Sequence, residues 1–123
     1  MRIIPTDGRP HLPREVRQLL GDPRGHWDGN TPVVETTNFT DRTSFRGSGE
    51  HMRLTERFTR TGPDTMLYEF TVDDPETFTK SWTARIPMTK AEGPLFEYAC
   101  HEGNYGLAGS LAGARAQEAA AKK

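Results

Sequence analysis

From residue 30 to residue 101, apolar and polar side chains alternate with a period of two, and most of the 15 threonines fall in that stretch. A period of two sends successive side chains to opposite faces of a pleated strand, and β-branched threonine suits a half-buried sheet surface. The pattern predicts strands over 31–38, 51–60, 65–72, 79–88 and 94–101. Thr61-Gly62-Pro63-Asp64 reads as the hairpin between the second and third, and Asp73-Asp74-Pro75-Glu76 as the break before the fourth. Strands at this spacing with no helices between them imply a mainly β fold, a small antiparallel barrel or sandwich. Pro32 and Pro87 interrupt two of the runs. A proline donates nothing to a ladder, so these positions are expected at edges or bulges.

The flanks read differently. Residues 1–30 carry Pro5, Gly8, Pro10, Pro13, Gly21, Pro23, Gly25 and Gly29, which leaves room for one short regular element. A helix over about 13–20 fits, with Pro13 at its first turn, Val16, Leu19 and Leu20 at i, i+3, i+4, and Gly21 as its stop. Arg2-Ile3-Ile4 reads as an extended piece. After Gly103, an Ala-rich run over 104–123 predicts a thinly apolar C-terminal helix. With 123 residues, the chain is expected to form a single β domain, 1–123.

Composition bounds the function. Sixteen Lys and Arg against 17 Asp and Glu give a net charge of −1, which lacks the electrostatic footprint of a nucleic-acid or anionic-membrane binder. No run of 18 apolar residues is present to span a bilayer. The single cysteine, Cys100, cannot make an internal disulfide and reads as a small core residue. Leu, Ile, Val and Phe number only 21, so the core is expected to be thin.

Several polar residues stand out against that background. In strand 51–60 one face reads Met52, Leu54, Glu56, Phe58, a carboxylate in an apolar row. A buried carboxylate needs a partner, and with 12 Arg against 4 Lys the expected one is arginine. The competing reading makes Glu56 a pocket carboxylate. In strand 94–101, Glu97 and His101 share a side, with Glu102 and Tyr105 following. A His beside carboxylates suits an acid–base pair or a single divalent metal, but no HxH, HExxH or CxxC spacing supports a metal site. His11, His26, His51 and His101 are dispersed, so only the fold can assemble a site from them, and local capping is the plainer expectation. Gly25-His26-Trp27-Asp28-Gly29-Asn30 places a ring, an imidazole and a carboxylate in what reads as a turn, with Trp27 plugging a barrel end as the plainer alternative. Arg46-Gly47-Ser48-Gly49 with Glu50-His51 lacks the strand-to-helix elbow of a nucleophilic serine.

The stretches Arg2 to His11, Gly25 to Thr31, Val33 to Phe39, Tyr68 to Val72 and Glu97 to Tyr105 resemble a large family of uncharacterised bacterial proteins. The resemblance covers nearly the whole chain and implies the C-terminal half of longer, exported relatives. It carries no activity and no catalytic residues. Pro32 and Ser81 depart from it, where a larger apolar residue and a proline are expected. A half-length chain implies an open sheet edge beside residues 2–4, and hence a homodimer or higher oligomer; the alternative is a barrel that closes on its own using residues 1–10. No signal peptide precedes the fold, which points to the cytoplasm for the chain as written.

Two functional readings follow. The first is a small-molecule hydrolase, acting on an ester, lactone or glycosidic bond, whose pocket uses Glu56, His51, His101 and one of Asp28 or Glu102, by general acid–base catalysis or through a metal-activated water. The second is a non-catalytic ligand-binding barrel in which Trp27, Trp82, Tyr68, Tyr105 and Phe58 enclose an apolar or sugar-like molecule.

Overall fold

The computed structural model describes residues 2–43, 45–94, 103 and 105–121. The chain forms two compact units, Met1–Ala91 and Glu92–Lys123. The first contains β1 (Asp22–Asp28), β2 (Thr31–Thr37), β3 (Arg53–Arg60), β4 (Thr65–Asp73) and β5 (Trp82–Thr89). The fold is mainly β and antiparallel. The strands make one sheet in chain order, β1 to β5, which does not close among the described residues.

Alternation along the strands sorts the sheet into two unlike faces. The register sets Leu54 opposite Val72, Glu56 opposite Phe70 and Phe58 opposite Tyr68, and Val72 opposite Trp82 in turn. These residues share the apolar face. Its buried centre is Phe39, Met52 and Val72, with Leu54, Phe70, Phe78 and Trp82 packed around it. The other face is polar over β3 to β5, where the Thr71 and Thr83 hydroxyls meet at 2.7 Å and Arg85 Nε donates to Glu69 Oε1 at 2.6 Å; at β2 it holds the buried Val33. Segments outside the strands cover part of the apolar face, so a sheet with few large aliphatics still acquires a core.

Four of the expected strands are present with shifted ends, at 31–37, 53–60, 65–73 and 82–89. The fifth, 94–101, lies outside the described residues except for Pro94, which is not in a strand. The fifth strand of the sheet is instead β1, inside the stretch expected to be a Pro/Gly lead-in. Asp22, Arg24, His26 and Asp28 alternate there with Pro23, Gly25 and Trp27, a period of two that the glycines and prolines obscure. The turn expected over 25–30 shrinks to Gly29 and Asn30, with Gly29 at φ 59°. Residues 2–4 are not a strand either; the neighbouring Pro5 carbonyl accepts a hydrogen bond from Gly25 N at 2.8 Å.

No helix forms over 13–20, and Asn38 supplies the reason. Its Nδ2 donates to the carbonyls of Leu12 and Pro13 at 3.0 Å and of Val16 at 3.2 Å, so oxygens that a helix would offer to its own N–H groups four residues on are held from the end of β2. Gln18 N donates to the Asn38 carbonyl at 2.9 Å and Thr40 N to the Gln18 carbonyl at 3.2 Å, which ties the segment alongside Phe39. Val16, Leu19 and Leu20, the expected buried stripe, are exposed. Asn38 sits at φ 58°, in the left-handed region that asparagine tolerates better than other side chains. Gly21, at φ 69°, has no alternative: a Cβ there would lie 2.6 Å from Thr36 Cγ2 and 2.8 Å from the Thr37 carbonyl oxygen.

The second unit carries α1 (Tyr105–Ala121). It is the Ala-rich helix expected over 104–123, and none of its residues is buried.

Candidate functional site

Glu56 is the buried carboxylate that the alternation singled out, at 5% exposure. Tyr68 O–H donates to its Oε1 at 2.9 Å, and Arg2 Nη2 stands 2.6 Å from its Oε2. The second approach is an ion pair by distance and not an aligned hydrogen bond, because among the described residues Oε2 has no partner that meets hydrogen-bond geometry. Burial pushes the Tyr68 hydroxyl up to about 12, and the bond to Glu56 adds to the shift. The arginine partner expected for Glu56 is present, and it comes from the extended N-terminal segment.

Tyr68 stacks on Phe58 with centroids 4.9 Å apart and tilts against Phe70 at 5.7 Å; Phe70 meets the edge of Trp82 at 5.7 Å. Glu56, Tyr68, Phe58 and Trp82 are thus gathered on one face. Beside them a groove of about 270 Å³ is lined by Phe45, Met52, Leu54, Tyr68 and Phe70. Trp82 Nε1 is buried with no hydrogen-bond partner among the described residues.

The other expected residues do not join this cluster. Asp28 pairs with Arg57 at 2.6 Å on the polar face, and that guanidinium holds its carboxyl below the ordinary range. Trp27 plugs nothing; it is 66% exposed, since β1 is the end strand and its tip projects past the core. His51 is exposed in the loop before β3, with Nε2 3.2 Å from Glu50 Oε1 and 3.4 Å from Glu76 Oε1. Tyr105 is exposed in the second unit. His101 and Glu102 lie outside the described residues. Among the described residues, no three His, Cys, Asp or Glu side chains converge to hold a metal ion.

A second constellation involves residues that the sequence pattern did not single out. Asp22, at 2% exposure, opens β1 on the polar face. Its Oδ2 accepts from Leu12 N at 2.9 Å and lies 3.0 Å from His11 Nδ1, while Oδ1 accepts from Arg24 Nη1 at 2.6 Å. Burial pushes the Asp22 carboxyl up, but the bonds from Leu12, His11 and Arg24 outweigh it and hold the group below the ordinary range. An ionised carboxylate only accepts, so the His11 proton sits on Nδ1, and in the neutral ring Nε2 keeps its lone pair. His11 lines a cleft of about 220 Å³ together with Arg14, Arg17, Glu50, His51 and Arg53. A base near hydrogen-bond reach of a small cavity, oriented from behind by a buried carboxylate, is equipped for proton transfer.

No protein-family model, curated protein or solved structure matches this chain. Its chemistry rests on the side chains themselves. The signal for His11 and Asp22 was present but split across ten residues: Pro10-His11-Leu12-Pro13 reads as a rigid extended stretch, and Asp22 begins the disguised alternation of β1. Only the fold of β1 against that stretch joins them.

Proposed function

We propose that the chain is a small-molecule hydrolase whose acid–base group is His11, oriented by Asp22, in the cleft between the N-terminal segment and the β2–β3 end of the sheet. The observation that carries this reading is the 3.0 Å contact between His11 Nδ1 and a buried, ionised Asp22 on a residue that lines a cavity. Nε2 takes a proton from water as the water oxygen attacks an acyl carbon of an ester or lactone. The same proton passes to the departing alkoxide as the acyl–oxygen bond breaks. Asp22 stays ionised throughout and stabilises the transient imidazolium. Glu56 has no part in this chemistry, since Arg2 and Tyr68 already engage it.

The test is hydrolysis of p-nitrophenyl acetate and of a small lactone by wild type, His11→Ala and Glu56→Gln. His11→Ala is expected to lose at least about 100-fold in kcat, the usual share of a general base, with partial recovery on adding free imidazole. Glu56→Gln is expected to keep the rate. A His11→Ala rate within threefold of wild type, or a wild type with no activity over imidazole in solution, would sink the proposal.

A second reading is supported by the aromatic groove. Its five lining residues are apolar except for the Tyr68 hydroxyl, the composition of a site for a flat apolar or sugar-like ligand without turnover. Quenching of tryptophan fluorescence by an aromatic probe, lost in Phe45→Ala, would favour this reading; quenching that survives the substitution would remove it.

A further inference from the structure

We infer that the cleft selects substrates bearing a negative charge, a carboxylate or phosphate, held by Arg14 and Arg53. This deepens the hydrolase reading and rests on it for the reaction, although not for the binding. Three guanidiniums line the cleft against one carboxylate, in a chain whose net charge is −1. How those groups are committed decides the matter. Arg17 is engaged: its Nη1 donates to the Glu50 carbonyl at 2.6 Å and weakly to the Phe39 carbonyl at 3.4 Å, and its Nη2 stands 4.0 Å from Glu50 Oε2. Glu50 is engaged as well, with Oε1 3.2 Å from His51 Nε2. Asp22 lies behind His11, and its charge is answered by Arg24 at 2.6 Å.

Arg14 and Arg53 are left. Among the described residues neither makes an ion pair or a side-chain hydrogen bond. Asp73 faces Arg53 across the β3–β4 ladder without forming a salt bridge. An exposed arginine without a partner is ordinary; two on the walls of one cleft, beside an oriented imidazole, make a fork for an oxyanion. The cavity sets the size of ligand. At about 220 Å³ it is the size of a small molecule bearing one acidic group. The anionic group seated on the two arginines would bring a neighbouring ester carbonyl toward His11, a placement that converts binding into rate.

The experiment has a binding arm and a rate arm. Succinate and inorganic phosphate are titrated separately into the whole protein, and the His11 ring resonances are followed by NMR. Saturable shifts are expected for at least one anion, weakened about tenfold or more in Arg14→Gln/Arg53→Gln. Which anion binds tells carboxylate from phosphate. Both arginines are exposed, so the double variant should fold as wild type does, which circular dichroism checks. In the rate arm, a succinate half-ester of p-nitrophenol is expected to exceed the neutral acetate ester at least tenfold in kcat/KM, and the double variant is expected to reduce that preference below threefold. No saturable shift with either anion, or equal weakening by chloride at the same ionic strength, overturns the inference. Hydrolysis that depends on His11 but ignores substrate charge would overturn this inference and leave the hydrolase reading standing. Anion binding that depends on the arginines, with hydrolysis indifferent to His11, would do the reverse.

Discussion

Replacing Arg2 with leucine tests the burial of Glu56 more sharply than replacing Glu56 does. In the substituted protein the Glu56 carboxylate, 5% exposed, keeps one donor, the Tyr68 hydroxyl at 2.9 Å, and loses the one cation paired with it among the described residues, which stood 2.6 Å away. Removing one partner of a fully buried pair costs roughly 3–5 kcal/mol. Arg2 is 30% exposed, so water already screens part of the attraction, and the expected cost is about 2 kcal/mol. Glu56→Gln differs in kind: its amide oxygen still accepts from Tyr68, and the released guanidinium reaches water, for a cost of about 1 kcal/mol. The double variant leaves no buried charge and should sit near Glu56→Gln, a coupling of about 2 kcal/mol. Urea unfolding followed by tryptophan fluorescence reads all four proteins. At an m-value of about 1–2 kcal/mol/M the Arg2→Leu midpoint falls by roughly 1–2 M. An Arg2→Leu midpoint within experimental error of wild type, or a double variant as unstable as Arg2→Leu, would refute the ion pair as a structural element.

Three further outcomes follow from the same structure. Asn38→Ala removes the amide that binds three carbonyls and places alanine at φ 58°, so a loss of about 2–3 kcal/mol is expected in the same unfolding assay. In alkaline titration at 295 nm one of the three tyrosines should ionise near pH 12, because the folded state holds the Tyr68 proton more tightly than the unfolded chain does; its contribution to stability is complete below the ordinary value of about 10 and is lost as pH rises through about 12. At the acid end, Asp22 and Asp74 both have carboxyls held below the ordinary range despite burial, Asp22 by Leu12, His11 and Arg24, and Asp74 by the Glu76, Thr77 and Gly49 backbone and the Thr77 hydroxyl. Their contribution is present above the unfolded carboxylate value and disappears as pH falls through the folded ones, so the urea midpoint should drop below about pH 4, less steeply in Asp22→Asn.

Periodicity read the middle of the chain well because each of β3 to β5 alternates between an apolar and a polar face, with threonine marking the pleat, although β2 buries Val33 and Val34 on opposite faces. It placed Glu56 in the apolar row and indicated an arginine for it, but could not say that Arg2, 54 positions earlier, would supply it. β1 escaped because Pro23 and Gly25 fill two of its three inward positions and the third, Trp27, stands beside Asp28-Gly29-Asn30, which reads as a turn. Gly25 is small for a reason: a Cβ there would stand 2.9 Å from Ile4 Cγ2, in the path of the N-terminal segment. The 13–20 stretch misled in the opposite direction. Its helical spacing of apolar residues is real, and the backbone partners that cancel it come from Asn38, beyond the reach of any local window. His11 and Asp22 belong to the same class, a pair defined by chain crossing.

The chain-order path of the sheet bears on how quickly, and in what sequence, the molecule assembles. Every ladder from β1 to β5 joins neighbours along the chain, with tight turns at 29–30 and 61–64 and a long connection, 38–52, between β2 and β3, so the sheet needs no search between distant strands. The N-terminal arm is the exception, since Arg2 and Glu56 are 54 positions apart and a contact of that separation is expected to form late. Contacts made after the rate-limiting step govern escape from the native state and leave its formation untouched. The arm therefore acts as a latch in time: weakening it should leave the folding rate alone and shorten the lifetime of the folded protein.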